Sequence, residues 1–265
     1  MNWNKAQLLA LLPQRLRQED YEAVREIRLR LGRPPRLVTA GGMRDLGGTV
    51  DEGDLKFVVN AASRYSPWNA RTMKEGYITA PGGHRIGLCG EGCDGGLTNL
   101  SSLCIRVARD VRGIAAGLPT DGSLLILGPP GAGKTTLLRD YIRLLSGKWC
   151  VSLVDERREV MPEGFFPGEN TDILSGIPKA RGIDQVLRTM GPQWIAMDEV
   201  TSALDCEALA RAAWCGVRLA ATAHADDLRD LKRRQVYRPL AQSGLFTRAA
   251  VLNRRQSWHI EEVEE

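Results

Sequence analysis

The 265-residue chain has no apolar stretch long enough to span a bilayer. Its most apolar N-terminal run, Leu8, Leu9, Leu11 and Leu12, stops at Pro13 and carries no small-residue cleavage site. A soluble, cytoplasmic protein without direct membrane insertion is the expectation. Aromatic residues make up only 6%, and no long Lys/Arg run accompanies the net charge of +4. A single-stranded nucleic-acid binder needs stacking rings and a basic stripe, so nucleic acid is not an expected partner. The pairs Arg157-Arg158, Arg233-Arg234 and Arg254-Arg255 read as solvated surface. Cys89 and Cys93, near His84, lack a second ligand pair at zinc spacing, so reduced thiols are expected there. Cys150, Cys206 and Cys215 lie in apolar patterns and read as small core residues. The chain has no Asn-Lys-x-Asp tetrad for reading guanine, which argues against a GTPase.

What is present is a phosphate-binding loop. Gly128-Pro129-Pro130-Gly131-Ala132-Gly133-Lys134-Thr135 has the G-x-x-x-x-G-K-[ST] spacing, and with Thr136 it forms the expected nucleotide-binding stretch. The apolar run Leu124–Leu127 precedes it and the helical pattern Thr136 to Ile142 follows, which is the strand–loop–helix context the motif requires. Glycine backbones let successive N–H groups turn toward an anion, and the following helix adds the positive end of its dipole. Lys134 is expected on the β- and γ-phosphates and the Thr135 hydroxyl on Mg²⁺. Binding of a nucleoside triphosphate with Mg²⁺ follows.

Residues 1–119 read as a smaller α+β N-terminal domain. A helical start leads to the alternating strand Glu26–Leu31, a return strand at Arg36–Thr39 and a helix over Asp54–Ser63. Strand-like pieces follow at Gly76–Thr79 and Gly83–Leu88, around a Pro-Gly-Gly turn, and at Ser102–Ala108. From Thr120 strands and helices alternate, which predicts an α/β P-loop NTPase (RecA-like) domain with a mainly parallel sheet over residues 120–265. Strands are expected at Leu124–Leu127, Val151–Val154, Trp194–Met197 and Val217–Thr222. Helices are expected at Lys134–Leu145, Ile183–Met190, Asp205–Cys215 and Asp226–Arg234. The tail reads as an edge hairpin, Ala249–Leu252 with Ser257–Ile260, and Glu261–Glu265 as a frayed acidic end.

Three strand ends carry the candidate chemistry. Trp194-Ile195-Ala196-Met197 ends in Asp198-Glu199, a Walker B pattern: Asp198 is expected to help hold Mg²⁺, and Glu199 to accept a proton from the attacking water. Val151–Val154 ends in Asp155-Glu156, which can orient water or metal as a second acidic site. Leu219–Thr222 ends in Ala223-His224, placing an imidazole where it can hydrogen-bond a γ-phosphate.

This order of phosphate loop, acidic box, Walker B strand and histidine box resembles the secretion-type traffic ATPases. Further stretches sharpen the likeness: Glu26–Arg30, Gly76–Thr79, Gly82–Gly87, Ser102–Arg106, Gly133–Asp140, Val154–Arg157, Thr171–Leu174, Pro178-Lys179-Ala180 and Ala221–His224. Across nearly the whole chain they resemble the stage III sporulation protein AA family. The resemblance implies an ATPase of the mother-cell cytoplasm in endospore-forming bacteria, peripheral at the membrane through protein partners. Those partners are membrane proteins of the channel joining mother cell and forespore. It implies a homo-oligomer, a hexameric ring with ATP between subunits, in which Arg106 or Arg181 stabilises transition-state charge. Two positions depart from the family: Asn170 stands where an arginine is usual, and Thr201-Ser202 where a Gly-Arg pair follows the Walker B acids. Two other readings stay open, a nucleotide-dependent nucleic-acid-binding protein and an ABC-type ATPase subunit. The second is favoured by Asp198–Asp205 and opposed by the short span from Lys134 to Asp198.

Overall fold

A computed structural model describes residues 5–63, 73, 76–93, 96–162, 164–253 and 257–263. The chain divides into two units, Met1–Asp110 with Pro162–Phe165, and Val111–Met161 with Phe166–Glu265.

In the first unit, alternation builds an antiparallel sheet. Strands β1 (Val24–Arg30), β2 (Arg36–Thr39), β3 (Gly42–Asp45), β4 (Tyr77–Thr79), β5 (Arg85–Cys93) and β6 (Gly96–Arg106) are ordered β3-β2-β1-β6-β5-β4. Ile27 of β1 pairs with Ile105 of β6 and Leu29 with Leu103, all essentially fully buried, while Arg30 is exposed. Leu8 and Leu11 of α1 (Lys5–Leu11) and Leu55 and Val58 of α2 (Glu52–Ser63) complete this core. Each such buried aliphatic side chain is worth about 1.5–3 kcal/mol. An exposed ion pair such as Lys56–Glu52 contributes at most about 1 kcal/mol, so the apolar layer sets this unit's stability. Strand β3 was not expected, because Gly42-Met43-Arg44-Asp45 is a fully exposed edge with no alternation to read. Strands β5 and β6 extend farther than their apolar pieces, through a glycine-rich stretch.

The second unit holds seven strands: β7 (Leu124–Leu127), β8 (Val151–Asp155), β9 (Thr171–Ser175), β10 (Trp194–Met197), β11 (Arg218–Ala223), β12 (Arg248–Leu252) and β13 (Trp258–Glu262). Their order is β13-β12-β7-β11-β10-β8-β9, parallel except for the antiparallel β12–β13 edge. Strands β7, β8 and β10 are buried at every position, as parallel strands covered on both faces must be. Ile195, Met197, Leu219 and Ala221 join a core with α4 (Lys179–Thr189) and α5 (Ala203–Trp214). Trp194, on the alternate face, meets Tyr141 of α3 (Lys134–Ser146) edge-on with ring centroids 6.0 Å apart. The short helices α6 (Leu228–Arg233) and α7 (Arg238–Gln242) follow β11.

Between Lys134 and Asp198 the described residues form only α3, β8, β9, α4 and β10, with no helical subdomain. Helix α4 begins at Lys179, earlier than its apolar periodicity suggested, with Pro178 as its N-cap. Strand β9 was not foreseen as a strand; it is an edge strand whose Asp172 and Ile173 are exposed. Cys206 is buried as expected, but Cys150 and Cys215 are exposed because they stand just outside β8 and α5. Glu261 and Glu262, expected to fray, belong to β13. The Cys93 side chain, Arg254-Arg255 and Glu264-Glu265 lie outside the described residues.

Candidate nucleotide-binding and hydrolytic site

The site is assembled by strand order. Strand β11 lies between β7 and β10, with Ala221 in register with both Leu125 and Met197. The C-terminal ends of all three strands therefore meet at one edge, with the phosphate loop leaving β7, Asp198-Glu199 leaving β10 and Thr222 to His224 closing β11.

Backbone demands explain the loop's glycines. A Cβ on Gly128 would come within 3.1 Å of the Leu252 carbonyl oxygen at the end of β12, so a side chain there would crowd the loop's exit beside that strand. Gly133 caps α3 at φ 101°, a left-handed conformation that side chains disfavour. Lys134, the first residue of α3, is 6% exposed. Its Nζ donates to Gly128 O at 2.8 Å and Pro129 O at 3.1 Å, and lies 2.8 Å from His224 Nδ1. Burial lowers its pKa, against the opposing pull of Glu199 and Asp198.

An ammonium only donates, and these three partners use its three hydrogens. His224 Nδ1 is therefore the acceptor and its ring proton sits on Nε2, which faces Glu199 Oε1 at 3.2 Å. The result is a relay from cation through neutral imidazole to carboxylate. The His224 amide donates to the Tyr237 hydroxyl at 3.2 Å, which steadies the ring's backbone.

Asp198 is held by hydroxyls. Thr135 Oγ1 donates to its Oδ2 at 3.0 Å, and Thr222 Oγ1 donates to its Oδ1 at 2.7 Å. The Glu199 amide donates to Asp198 Oδ1 at 3.1 Å and to Thr222 Oγ1 at 2.8 Å. Glu199 itself has φ 35°, a left-handed conformation uncommon outside glycine. Gly131, Gly133, Lys134, Thr135, Thr136, Asp198, Glu199, Thr222 and His224 line an open cleft of about 310 Å³.

The donor set fits a phosphate with a divalent cation. A buried ammonium at a helix N-terminus beside a glycine-rich loop suits an anion. The Thr135 hydroxyl and the Asp198 carboxylate are hard oxygen ligands of the kind Mg²⁺ takes. Among the described residues no three His, Cys, Asp or Glu side chains cluster as a cage, so a cation here would share substrate oxygens and water.

Other expected residues stand elsewhere. Asp155 is 2% exposed, and its carboxylate accepts the amides of Glu159, Val160 and Met161 at 2.9, 3.0 and 2.9 Å. Burial raises its pKa, the amide bonds lower it, and the nearby Asp198 charge adds to the rise. Three backbone amides thus converge on that carboxylate. Glu156 does not line the cleft; its carbonyl accepts the Gly176 amide at 3.2 Å. Arg106 is an exposed residue ending β6 in the first unit, and Arg181 an exposed residue of α4. Asn170 caps the end of α3 through Nδ2 to Ser146 O at 2.8 Å. Thr201 and Ser202 open α5 in a capping box, Ser202 Oγ accepting the Asp205 amide while Asp205 Oδ2 accepts the amides of both.

Sequence reasoning gave no role to Thr222 or Lys179. Thr222 is a hydroxyl in an otherwise apolar buried strand, a signal that it has a polar partner. Lys179 Nζ donates to Glu199 O at 2.6 Å.

A family profile described as Sporulation stage III, protein AA matches residues 4–261. The Stage III sporulation protein AA of Bacillus subtilis (strain 168) is 34% identical over 261 residues, 89% of this chain and 85% of that protein. The Arabidopsis thaliana protein SEEDLING PLASTID DEVELOPMENT 1 is 33% identical over 140 residues, which is 46% of this chain and 20% of its own length. Among solved structures, the pilus retraction motor PilT with bound ADP has a TM-score of 0.64 at 16% identity, over 86% of this chain and 74% of that one. The Legionella pneumophila ATPase DotB has a TM-score of 0.59 at 16% identity, over 86% and 72%. At such identity these two establish the fold alone, an α/β P-loop ATPase fold with a mainly parallel sheet. Among the described residues no helix is long and apolar enough to cross a membrane. With a profile running over nearly its whole length and a relative one-third identical across most of both sequences, the chain belongs to the stage III sporulation protein AA family.

Proposed function

We propose that this chain is a Mg²⁺-dependent ATPase whose hydrolytic step is carried by Lys134, Thr135, Asp198, Glu199 and His224. One observation supports the reading above others. Side chains from the start of α3 and the ends of β10 and β11 are joined by contacts of 2.8, 3.0 and 3.2 Å in one cleft.

Lys134 leaves the Gly128 and Pro129 carbonyls for phosphate oxygens, exchanging neutral acceptors for charged ones and gaining stronger hydrogen bonds. Thr135 and Asp198 would hold the cation, which when bound would supply neutralisation of phosphate charge. Glu199 takes a proton from the water that attacks the γ-phosphorus as the bond to the β-phosphate oxygen breaks. His224, donating from Nε2 to one Glu199 oxygen, leaves the other free to face that water. Glu156, outside the cleft lining, takes no part in this step.

Residues 120–265 act as the ATPase domain and residues 1–119 as its N-terminal companion. Copies assemble as a hexameric ring with ATP between subunits, and Arg106 or Arg181 of a neighbouring copy meets the γ-phosphate charge. The work supports the channel between mother cell and forespore, from the cytoplasmic side and through membrane-protein partners. Family membership supports this setting.

Phosphate release is measured for the wild-type chain and Glu199→Gln across protein concentration, with Mg²⁺ present. Turnover that rises more than linearly with concentration and is lost in the variant supports shared active sites. Absence of turnover at high concentration, with ATP bound, defeats the enzymatic reading.

A further inference from the structure

Lys179 sits where electrostatics disfavours it. It is the first residue of α4, at the positive end of the helix dipole, with no acidic residue in that turn. Its half-buried side chain reaches back to the loop after β10, where Nζ donates to Glu199 O at 2.6 Å and lies 3.5 Å from Thr201 Oγ1.

The peptide it grips is the unusual one. Glu199 is held at φ 35°, a conformation that persists only where its surroundings over-determine it. Its N–H is fixed by Thr222 Oγ1 at 2.8 Å, and the Val200 amide by Thr222 O at 2.8 Å. Thr222 therefore holds the N–H of both peptides flanking Glu199, and Lys179 holds the carbonyl oxygen of the second, the Glu199–Val200 peptide. Without Lys179 that peptide keeps only the Val200 amide bond to Thr222 O, and the strained Glu199 backbone gains freedom to relax toward an ordinary right-handed or extended conformation. Either relaxation swings the Cα–Cβ bond and carries the carboxylate off its 3.2 Å contact with His224.

We infer that Lys179 is a positioning residue, holding the Glu199 carbonyl so that the Glu199 carboxylate stays aimed into the phosphate cleft. The inference rests on Glu199 as the base, but it concerns a backbone restraint that exists without nucleotide. It assigns Pro178-Lys179-Ala180 a task in the cleft although none of the three lines it.

Two readouts on the full chain test it. Hydrogen–deuterium exchange of the nucleotide-free protein is compared for wild type, Lys179→Met and Lys179→Arg. Faster exchange in Lys179→Met is expected for the amides of Glu199 and Val200, with the phosphate-loop amides unchanged and Lys179→Arg close to wild type. ATP hydrolysis is then measured for the same proteins, with Arg188→Met as a control for charge loss on the same helix. Lys179→Met should lower kcat by about 10- to 100-fold with KM and ATP affinity within about twofold, the cost of a base displaced by roughly an ångström. Lys179→Arg should recover much of the loss, and Arg188→Met should match wild type.

Unchanged exchange at Glu199 and Val200 in Lys179→Met overturns the inference whatever the activity. So does a parallel loss of kcat, ATP affinity and melting temperature, which marks a merely structural lysine. A wild-type protein without turnover counts against the ATPase reading, and the exchange result still decides the role of Lys179.

Discussion

Two Asp-Glu pairs stand at the ends of two neighbouring parallel strands, Asp155-Glu156 where β8 ends and Asp198-Glu199 just after β10. They look alike as sequence and differ in what their aspartates touch. After Asp155 the chain turns back tightly, so that three amides close on the carboxylate. After Asp198 the chain runs into the Ser202–Asp205 capping box, where Asp205 takes the Thr201 and Ser202 amides. Asp198 accepts one backbone amide, that of Glu199, and is otherwise held by side-chain hydroxyls from α3 and β11. A backbone amide cannot be exchanged for a ligand without unfolding the turn, whereas a threonine hydroxyl can rotate toward a cation. Whether an acid at a strand end is structural or available for chemistry is thus decided by what satisfies the next few amides.

The comparison is broken most easily at the two glutamates. Glu199→Gln should lower phosphate release by about 10²–10⁴-fold while ATP still binds, and Glu156→Gln should stay within about twofold. Equal losses in steady-state assays would erase the distinction. At the aspartates the expected effects separate by kind. Asp198→Asn should weaken Mg²⁺-dependent hydrolysis by about 10–100-fold with little change in melting temperature. Asp155→Asn should lower folding stability by about 1–3 kcal/mol in denaturant titrations, because its amide NH₂ meets backbone donors, while activity per folded molecule persists.

A pH series sharpens the same contrast. Burial raises the Asp155 pKa in the folded chain, so the folded state keeps this proton at pH values where the unfolded chain has lost it. This group's contribution to stability is therefore complete at low pH and declines as pH rises through its folded value. The advantage of wild type over Asp155→Asn should shrink as pH rises above the ordinary carboxylate range, read from denaturation midpoints. The smallest effect belongs to the cap. Ser202→Ala should cost about 1 kcal/mol of stability with hydrolysis within about twofold, checked by thermal melts and phosphate release.

Much of the second unit was legible because parallel strands are continuous apolar runs: β7 and β10 lie where Leu124–Leu127 and Trp194–Met197 placed them. The phosphate loop was legible because its spacing is dictated by anion geometry. The edge strands β3 and β9 were not, since an exposed strand needs no hydrophobic pattern. Lys179 and Thr222 escaped for another reason. Their roles depend on β11 lying between β7 and β10, and on α4 starting beside the Glu199 turn, which are pairings between segments far apart in the chain. The different fates of Asp155 and Asp198 likewise lie in the turns that follow them.

The most direct measurement is an experimental structure with Mg²⁺ and a non-hydrolysable ATP analogue. The account predicts Lys134 Nζ on the terminal phosphate, the cation between Thr135 and Asp198, and the Glu199 carboxylate facing a water opposite the leaving oxygen. Phosphates bound away from Lys134, or Asp198 and Glu199 turned from the nucleotide, would contradict it.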